Sequence, residues 1–446
     1  MSDRELLTGW GCTAATAARV VRATPDRVAE ELRTAGSRGV IARGLGRSYG
    51  DVAQNAGGVV LLPAPGSVRI DHETQQVTVG AGTSLHDLMR VLLPEGYFVP
   101  VTPGTRFVTL GGAIACDVHG KNHHRAGSLG DHVVSLDLVL PDGSAVTVGP
   151  QQDPDLYWAT VGGLGLTGIV TSVVLSLLRV ESGWMRVDTD RLPDLDAVMD
   201  AITASDRDTT YSVAWIDTLA RGRALGRSVL TRGEHARWEE LTGRAVREPV
   251  PLPGDPRLGA PGLVPPHLVS RPTVRAFNEL WFRKAPRQRK DELQTIASFF
   301  HPLDGVAHWN RLYGRQGFLQ YQCVLPDPEG GRLARILERI SAAGHASFLA
   351  VLKRFGPGNP GPLSFPTVGW TLALDLPVGA GLVPLLAELD REVVGAGGRI
   401  YLAKDSRLPG ALLEQMYPRL DEFRAVRARV DPTGVLRSDL SRRLDL

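Results

Sequence analysis

The chain has 446 residues, of which 43% are hydrophobic and 22% are charged, a balance typical of globular proteins with sizeable cores. Lys and Arg number 50 against 48 Asp and Glu, and a net charge of +2 gives no overall field that would attract nucleic acid. Since compact domains usually contain ~100–200 residues, we expect two domains and no nucleic-acid partner.

Neither the cysteines nor the N-terminus is typical of a secreted protein. Cys12, Cys116 and Cys323 are too far apart for a CxxC metal motif and too few for a disulfide framework, which favours a reducing compartment. The N-terminus starts polar and acidic and lacks the apolar core of a signal peptide. No segment approaches the ~20 apolar residues of a membrane helix, so we expect a cytoplasmic protein whose contact with the inner membrane is at most peripheral.

The first 180 residues alternate between helical and strand patterns. Apolar periodicity and capping residues predict helices, and short apolar or alternating runs predict strands. The predicted helices are Pro25–Gly36 and Thr83–Leu93, and the predicted strands are Val40–Arg43, Gly58–Leu62, Gln76–Gly80, the hairpin Val133–Val148 and Gly168–Val180. This part of the chain is therefore predicted to be α+β.

The second half contains a long segment without periodicity. Arg247–Pro272 is dense in Pro and Gly, which predicts a mobile loop that is either a lid or a plain surface excursion. After it, strands are predicted at Gly317–Leu325, His345–Leu352 and Gly369–Leu374, and a helix at Leu382–Gly395. This pattern favours a second sheet with helices on one face.

Three glycine-rich segments lie in the first half, at 43–51, 103–112 and 162–168. Glycine lets backbone amides approach phosphate oxygens closely, so several such loops indicate a long phosphorylated cofactor. The third segment contains a literal GxGxxG at Gly163, Gly165 and Gly168, but strand-forming residues follow it. A Rossmann site needs a helix there, and the pattern therefore disfavours one.

Three histidines, a lysine and an acid lie together between Cys116 and His124. His119, His123 and His124 are tempting metal ligands. They lack the helical i, i+4 frame and the carboxylate partners of common metal sites, so we predict no metal and a polar cofactor or substrate pocket.

Two later segments offer groups for chemistry. Tyr401 and Lys404 follow an alternating strand, and a desolvated Lys404 is suited to act as a base or hydrogen-bond donor to a reacting hydroxyl. Gln320 and Gln322 share one face of a strand, which suits sugar hydroxyls. An ordinary ion-pairing lysine and an ordinary edge strand would give the same patterns.

Eight motifs run in order from about Gly9 to the C-terminus: RGLGRSYGD, PGTR with TLGGAIACDVHGKNHH, ATVGGLGLTGI, HPLD, GFLQYQ, GHASFLAVLKRFGPGN, PLSFP with GW, and YLAKDSR. In these motifs the chain resembles the decaprenylphosphoryl-β-D-ribose 2′-oxidase family, the flavin subunits of decaprenylphosphoryl-ribose 2′-epimerases. That family belongs to the vanillyl-alcohol-oxidase type of FAD enzymes.

The resemblance implies a two-domain α+β fold with a PCMH-type FAD-binding domain. Residues 1–180, completed by 400–446, would hold FAD, and residues 181–399 would form an α+β substrate domain on an antiparallel sheet. By motif position, the FAD-binding residues would be Arg43, Gly44, Leu45, Gly46, Arg47, Ser48, Tyr49, Gly50, Gly104, Thr105, Gly112, Cys116, Asp117, His119, Gly120, Asn122, Ile169 and Tyr401. The substrate-binding residues would be Trp215, Tyr313, Gln320, Gln322, Lys353, Thr371 and Lys404.

The sequence departs from its relatives at two places. Many relatives bind FAD covalently through a histidine in the first glycine loop, whereas Tyr49 stands there in this chain, so we expect non-covalent FAD. This chain carries Thr371 and Ala373 at positions where the members of the family resemble one another in carrying Asn and Cys. This difference leaves the exact substrate open.

The implied reaction oxidises the 2′-hydroxyl of a polyprenylphosphoryl-ribose to a ketone, the first half of epimerisation to the arabinose form for cell-wall arabinan. Lys404, Tyr401 and His119 would be the catalytic residues, with Lys404 as base, while Lys353 and Arg354 would meet the phosphate. A separate NADH-dependent keto-reductase would complete the epimerisation. Either a quinone or dioxygen would reoxidise the flavin.

Two other functions fit the same residues. One is a soluble FAD-dependent sugar or alditol oxidase that uses dioxygen, because a fold does not fix a substrate. The other is a flavin-binding protein without turnover.

Overall fold

The structure is a computed structural model that describes residues 4–256, 258–262, 264 and 268–446. Its strands are β1 (Arg4–Thr8), β2 (Ala15–Ala23), β3 (Val40–Ala42), β4 (Val59–Pro63), β5 (Val68–Asp71), β6 (Gln76–Gly80), β7 (Tyr97–Phe98), β8 (Val133–Val139), β9 (Ala145–Val148), β10 (Ile169–Ser176), β11 (Leu178–Arg179), β12 (Trp184–Leu192), β13 (Tyr211–Ile216), β14 (Ser228–His235), β15 (Leu258–Gly259), β16 (Gln288–Thr295), β17 (Val306–Ala307), β18 (Phe318–Pro326), β19 (Ala350–Phe355), β20 (Gly369–Pro377) and β21 (Arg399–Ile400).

The α-helices alternate with these strands along the chain. They are α1 (Pro25–Arg33), α2 (Leu85–Leu92), α3 (Leu110–Ala115), α4 (His123–Ala126), α5 (Pro154–Thr160), α6 (Leu195–Ser205), α7 (Arg244–Arg247), α8 (Arg271–Lys284), α9 (Ile296–Phe300), α10 (Arg332–Ala343), α11 (Leu382–Gly395), α12 (Gly410–Met416), α13 (Leu420–Val430) and α14 (Asp439–Leu444).

Two sheets form the first part of the molecule. One has the strand order β1-β2-β4-β3, and the other has the order β5-β6-β10-β8-β9. Helices α2, α3 and α5 pack on the five-stranded sheet through a core that includes Val79, Leu88 and Ile114. The predicted hairpin and the strand after it are confirmed, because β8 pairs with both β9 and β10 in antiparallel register.

The GxGxxG segment does not open a helix. Helix α5 precedes it, and β10 begins at Ile169, directly after Gly168. The disfavoured Rossmann site is thus excluded by the order of the elements.

An eight-stranded antiparallel sheet dominates the second part, with the order β16-β12-β14-β13-β19-β20-β18-β21. Helices α6, α10 and α11 share one apolar core with Tyr321, Cys323, Leu372 and Leu374 of its central strands. The predicted sheet with helices on one face is therefore confirmed. Successive strand residues point to opposite faces, so the residues between these core positions form a second face, which is turned away from the helices.

The strand predicted at His345–Leu352 lies further along the chain, at Ala350–Phe355. Helix α10 ends at Ala343 and is capped by Gly344, which has a φ of 79°, and Ser347 Oγ then donates to the carbonyl of Leu349 at 2.7 Å. These local bonds hold the residues after the helix in an irregular turn and delay the strand. As a result Lys353 and Arg354 lie inside the strand, on opposite faces.

The C-terminal residues return to the first part of the chain. Leu436 forms a β-bridge with Val40, and the Arg443 guanidinium pairs with Asp51 at 2.9 Å. In the predicted loop Arg247–Pro272, residues 257, 263 and 265–267 lie outside the described residues, and β15 pairs with β17 in the described remainder. No helix among the described residues has the length and apolar character needed to cross a bilayer.

Candidate active site

The first glycine loop presents a row of unused backbone amides. Arg43 fixes its start by donating to the carbonyls of Thr8 at 2.6 Å and Ala53 at 3.1 Å. Gly46 has a φ of 66°, and none of the amides from Gly44 to Ser48 donates a hydrogen bond within the described part of the chain. Consecutive free amides around a left-handed residue form an anion-binding nest, which fits the pyrophosphate of a dinucleotide.

The end of this loop is held against a later turn. The Tyr49 amide donates to the carbonyl of Ala403 at 3.3 Å. A Cβ on Gly50 would lie 2.0 Å from the carbonyl oxygen of Asp405, so only glycine fits there. The glycine loop and the turn that carries Tyr401 and Lys404 are therefore in direct contact.

The second glycine segment contributes an open backbone and a buried ion pair. A Cβ on Gly104 would meet nothing within 4 Å, whereas the hydroxyl of Thr105 donates to Asp304 at 2.7 Å. The backbone and the guanidinium of Arg106 both donate to the same carboxylate, at 2.8 and 3.3 Å. Asp304, in the HPLD motif, thus fixes the shape of the Pro-Gly-Thr-Arg loop, and Gly104 leaves room for a bound group.

The histidine segment crosses from the first part of the molecule to the eight-stranded sheet. The Gln322 amide nitrogen lies 2.9 Å from His119 Nε2, and Nδ1 of this buried ring has no partner among the described residues. Burial, together with the charge of Lys353, lowers the pKa of His119 well below its usual range, so the ring is neutral. Because the side-chain amide nitrogen of Gln322 is a donor, Nε2 accepts and the proton of the neutral ring lies on Nδ1, which is available as a donor to a bound group.

Asp117 and Asn122 fix this segment. Asp117 has a φ of 43° and accepts hydrogen bonds from Ser128, Asn359 and Ser364. Burial raises the pKa of Asp117 to about 6 despite these donors. Asn122 donates to the carbonyl of Pro100 at 2.9 Å, and its own amide oxygen has no partner among the described residues.

No group of three or more histidine, cysteine or acidic side chains suited to a metal occurs among the described residues. His119 and His123 instead pack on aromatic rings, with ring centroids 4.9 and 4.4 Å from that of Phe355. His124 Nε2 lies 2.9 Å from the carbonyl oxygen of Thr209. His119 and His123 thus share the Phe355 ring as a neighbour, with their own ring centroids 6.3 Å apart, whereas His124 contacts the backbone of Thr209.

Lys404 lies half-buried beside the first glycine loop, with Nζ 4.0 Å from the centre of the Tyr49 ring. Burial lowers the pKa of Lys404 to about 8, and the negative charge of Asp375 opposes this shift. Burial raises the pKa of Asp375, while a hydrogen bond from Gln320 and the charge of Lys404 oppose the rise. Lys404 is thus a lysine that exchanges its proton near neutral pH.

Tyr401 completes the wall beside His119. Its hydroxyl donates to the carbonyl of Cys116 at 2.5 Å, and its ring lies 5.0 Å from the His119 ring. The ring also stacks on Phe365 at 4.8 Å. Cys116 itself lies near the first glycine loop, with Sγ 3.8 Å from Ser48 Oγ.

Four of the predicted substrate residues, Gln320, Gln322, Lys353 and Thr371, share the face of the sheet that is turned away from the helices. In the antiparallel register Gln320 is opposite Asp375, and Lys353 is opposite Thr371. Gln322 reaches Thr371 Oγ1 at 3.3 Å as well as His119, and Gln320 donates to Asp375 at 2.5 Å. Burial lowers the pKa of Lys353 to about 8, and its Nζ lies 3.5 Å from the carbonyl oxygen of Gly120.

Trp215 and Tyr313 belong to an aromatic wall next to this face. Trp215 Nε1 donates to the carbonyl of Phe348 at 3.0 Å. The Tyr313 ring stacks on Phe318 at 4.0 Å and on Phe348 at 5.6 Å, and its buried hydroxyl has no partner in the described chain. The wall therefore offers apolar contact and one free hydroxyl.

Arg354 and Ile169 make side-chain contacts that the sequence did not predict. The prediction that Arg354 meets a substrate phosphate is wrong, because strand alternation turns it to the helix face, where it pairs with Asp206 at 2.8 Å and with Asp327 at 2.5 Å. The side chain of Ile169 is fully buried in a small core with Leu61 and Leu436.

Sequence reasoning missed Asp375. It lies two and four residues after Ala373 and Thr371, so period two places all three on the polar face. Its Oδ2 atom is buried without a partner among the described residues. The signal that could have found it is a lone acid in the otherwise apolar run Gly-Trp-Thr-Leu-Ala-Leu-Asp.

The described residues fit FAD. They combine free amides for a pyrophosphate with two buried polar atoms that have no partner among the described residues, His119 Nδ1 and the side-chain oxygen of Asn122. Leaving a polar atom buried without a partner costs free energy, and a flavin bound here would supply partners for these two atoms.

Comparison with known proteins supports this reading. Residues 16–149 match a family described as FAD binding domain, and residues 387–444 match one described as D-arabinono-1,4-lactone oxidase. The chain is 45% identical over 448 residues to decaprenylphosphoryl-β-D-ribose oxidase of Mycolicibacterium smegmatis, covering 99% of this chain and 97% of that protein.

Two Streptomyces proteins are also similar. An uncharacterised protein of Streptomyces coelicolor is 43% identical over 373 residues, covering 81% of this chain and 100% of that protein. Alditol oxidase of a Streptomyces species is 23% identical over 431 residues, covering 91% of each chain. The chain therefore belongs to the decaprenylphosphoryl-β-D-ribose oxidase family of FAD-dependent oxidoreductases, with the two-domain α+β fold of the vanillyl-alcohol-oxidase type.

Proposed function

We propose that this chain oxidises the 2′-hydroxyl of a polyprenylphosphoryl-ribose to the 2′-keto sugar. The observation that carries the proposal is the position of Lys404. It is a half-buried amine whose pKa desolvation lowers to about 8, and it lies beside the first glycine loop and near Asp375 of the polar face that carries Gln320 and Gln322. An amine that loses its proton near neutral pH is suited to take a proton from an alcohol.

The FAD-binding part is proposed to comprise residues 1–180 and 400–446, and the substrate-binding part residues 181–399. The bridge between Val40 and Leu436 and the ion pair between Asp51 and Arg443 support the return of the C-terminus to the first part. The amides from Gly44 to Ser48 would hold the pyrophosphate. His119, Asn122 and Tyr401 would line the flavin.

The reaction breaks one C–H bond and one O–H bond of the substrate. One acceptor takes the hydride from carbon, and another takes the proton from oxygen. FAD, when bound, supplies the acceptor for the electron pair of the carbinol C–H bond, which it takes as a hydride. The neutral amine of Lys404 takes the hydroxyl proton and becomes an ammonium, and the C–O bond becomes a carbonyl. Asp375 stabilises this ammonium electrostatically, because it carries the opposite charge in the same buried region.

The neighbouring side chains position the alcohol rather than exchange protons with it. The Tyr401 hydroxyl is committed to the Cys116 carbonyl, and Gln322 holds the His119 ring. Gln320 is fixed by Asp375, so its remaining amide atoms can orient a sugar hydroxyl. Restraining the alcohol in this way is the usual route by which a protein lowers the entropic cost of reaction.

Lys353 is the proposed contact for the phosphate of the substrate. It lies on the polar face, on the strand β19 that β20 separates from the strand of Gln322, and it carries no ion pair in the described chain. Burial lowers its pKa, so a phosphate beside it would restore its positive charge. Trp215 and Tyr313 would contact the apolar part next to the phosphate.

The product and the lipid tail imply two further partners. A 2′-keto sugar still lipid-linked must be reduced to complete an epimerisation, so we propose that a separate NADH-dependent keto-reductase consumes it. We also propose peripheral membrane contact, since a polyprenyl tail is not soluble in water.

Anaerobic titration of the holoenzyme tests the proposed function. Decaprenylphosphoryl-ribose, or an analogue with a shorter prenyl chain, is expected to bleach the flavin band and yield one ketone per FAD. Free sugars and alditols at the same concentration are expected to leave the band unchanged. Bleaching by alditols alone would instead make the chain a sugar or alditol oxidase, the reading that Thr371 and Ala373 leave open.

A further inference from the structure

Helix α8 (Arg271–Lys284) presents large apolar side chains to solvent. Leu280 is 68% exposed, Trp281 43% and Phe277 42%. These residues, with Lys284, recur at i, i+3, i+4 and i+7 and therefore lie on one face. We call Phe277, Leu280 and Trp281 the α8 apolar face.

The contacts on another side of α8 explain why the α8 apolar face is exposed to solvent. Val274 and Asn278 are the buried residues of α8, and Asn278 donates to Asp217 at 2.7 Å. The helix is thus fixed to the sheet by a side about a quarter turn away from the α8 apolar face. Leu268, directly before the helix, is also 42% exposed.

The charge around this face is positive. Helix α8 contains Arg271, Arg275, Arg283 and Lys284 against a single acid, Glu279, which pairs with Arg283 at 2.5 Å. Lys284 and the exposed Arg287 after it form no ion pair with the rest of the described chain. An exposed apolar face bordered by basic residues is typical of helices that lie in the interface of an anionic membrane.

A continuous run of aromatic rings joins this face to the candidate active site. Phe277 lies 6.0 Å from Trp281 and 5.8 Å from Phe348, measured between ring centres. Phe348 stacks on Tyr313, which stacks on Phe318. Phe318 lies 5.4 Å from the Tyr49 ring, and Lys404 Nζ lies 4.0 Å from that ring.

We propose that the α8 apolar face docks the enzyme on an anionic phospholipid bilayer, with Phe277, Leu280 and Trp281 inserted at the headgroup level. The inference rests on the proposed function, because a prenyl tail then stays in the bilayer while the sugar binds near Lys404, and the packed rings hold the α8 apolar face in a fixed position relative to that site. The bordering lysine and arginines contact the phosphate headgroups. A tail of any length is accommodated, since only its first units need to leave the lipid.

Vesicle sedimentation tests the docking surface without using catalysis. The holoenzyme is mixed with vesicles of pure phosphatidylcholine or of phosphatidylcholine with phosphatidylglycerol. We expect binding to the anionic vesicles that weakens as salt is raised, and a loss of at least about tenfold in affinity in the triple variant Phe277→Ser/Leu280→Ser/Trp281→Ser. The variant Lys284→Glu/Arg287→Glu should lose at least about tenfold on anionic vesicles and little on neutral ones.

Matched controls change equally exposed residues elsewhere. Trp238 is 55% exposed and Val383 is 57% exposed, so Trp238→Ser/Val383→Ser removes exposed apolar side chains outside α8. The exposed Arg22 and Arg69 lie within the segment that matches the FAD binding domain and serve as the charge-reversal control. Both controls should bind vesicles as the unchanged protein does.

Three results would overturn the docking proposal: no vesicle binding by the unchanged protein, equal binding by the α8 variants, or a shift from dimer to monomer in those variants without any vesicle binding. The last would assign the face to a second copy of the chain. Flavin reduction by a short-chain, water-soluble prenylphosphoryl-ribose should be unchanged in the α8 variants. If that substrate fails with every protein, the proposed function fails, whereas the sedimentation result still decides the docking surface.

Discussion

The side-chain amide of Gln322 lies 2.9 Å from Nε2 of His119, and this contact joins the polar face of the eight-stranded sheet to the segment after the second glycine loop. The two residues are 203 positions apart in the sequence. The pair therefore links the polar face, where we propose that the substrate binds, to His119, which we propose lines the flavin. A neutral His119 with its proton on Nδ1 is the form that this contact selects.

Gln322→Leu removes the donor while keeping a side chain of similar volume. We expect flavin reduction in a single turnover to slow by about tenfold or more, because His119 and Thr371 lose their shared partner. FAD content and the circular dichroism spectrum should be unchanged. The matched control is Gln415→Leu on the exposed side of α12, where the amide contacts only its own helix among the described residues. Equal rates in both variants would argue against a role for the contact.

The rate of flavin reduction should depend on the protonation of Lys404. A base must be neutral to accept a proton, so the rate should rise with pH through an apparent pKa of about 8. Stopped-flow absorbance of the flavin band across pH 6–10 measures it. A rate that falls over this range would show that the protonated amine is the active form.

Asp375→Asn should move that profile in a known direction. The Asp375 carboxylate favours the charged form of Lys404 and raises its pKa, so removing the charge should shift the midpoint to lower pH. The asparagine can still accept the hydrogen bond from Gln320. A midpoint that stays in place, in a variant that retains FAD and fold, would contradict electrostatic coupling between Asp375 and Lys404.

FAD should be bound without a covalent bond. The first glycine loop offers Tyr49 rather than a histidine, and this ring lies against Lys404 and Phe318. Precipitation with acid should release all of the yellow cofactor into the supernatant. Flavin fluorescence that migrates with the denatured protein on a gel would refute this prediction.

Gly46→Ala tests the anion nest. Gly46 has a φ of 66°, and its added Cβ would approach Arg43 to 2.3 Å, so the loop must rearrange. We expect FAD affinity to fall at least about tenfold, since a left-handed non-glycine residue costs about 1–2 kcal/mol before the clash is counted. Gly36→Ala is the control, because its Cβ meets nothing within 4 Å and its φ is not positive. Fluorescence titration of the apoprotein with FAD gives both affinities.

Local patterns predicted most of the elements because their determinants are local. Leu382–Gly395 is a helix over the whole predicted range, and Gln76–Gly80 is a strand over the whole predicted range. The strand after α10 was misplaced because a Ser347 side-chain bond, which no apolar period reveals, holds the chain in a turn. Helix α1 ends at Arg33, three residues before the predicted end, because Thr34 caps it through its backbone.

The polar face was predictable only in part. The period of two within one strand is enough to place Gln320 and Gln322 on the same face. The prediction that Arg354 joins Lys353 at the phosphate is wrong because neighbouring residues of a strand point to opposite faces of the sheet. Asp375 was missed because its importance comes from two contacts that only the fold creates, the cross-strand partner Gln320 and the charge of Lys404. Residue types and spacing identify such a face, but cross-strand register decides which side chains meet on it.

Deuterium at C2′ of a short-chain prenylphosphoryl-ribose gives the most direct test of the proposed oxidation. The holoenzyme is mixed anaerobically with the labelled or unlabelled substrate, and the flavin band is followed in a single turnover. We expect slower bleaching with the C2′ deuterium, unchanged bleaching with deuterium at C3′, and a 2′-ketone as product. An isotope effect at another carbon, or bleaching by free alditols alone, would contradict oxidation at C2′.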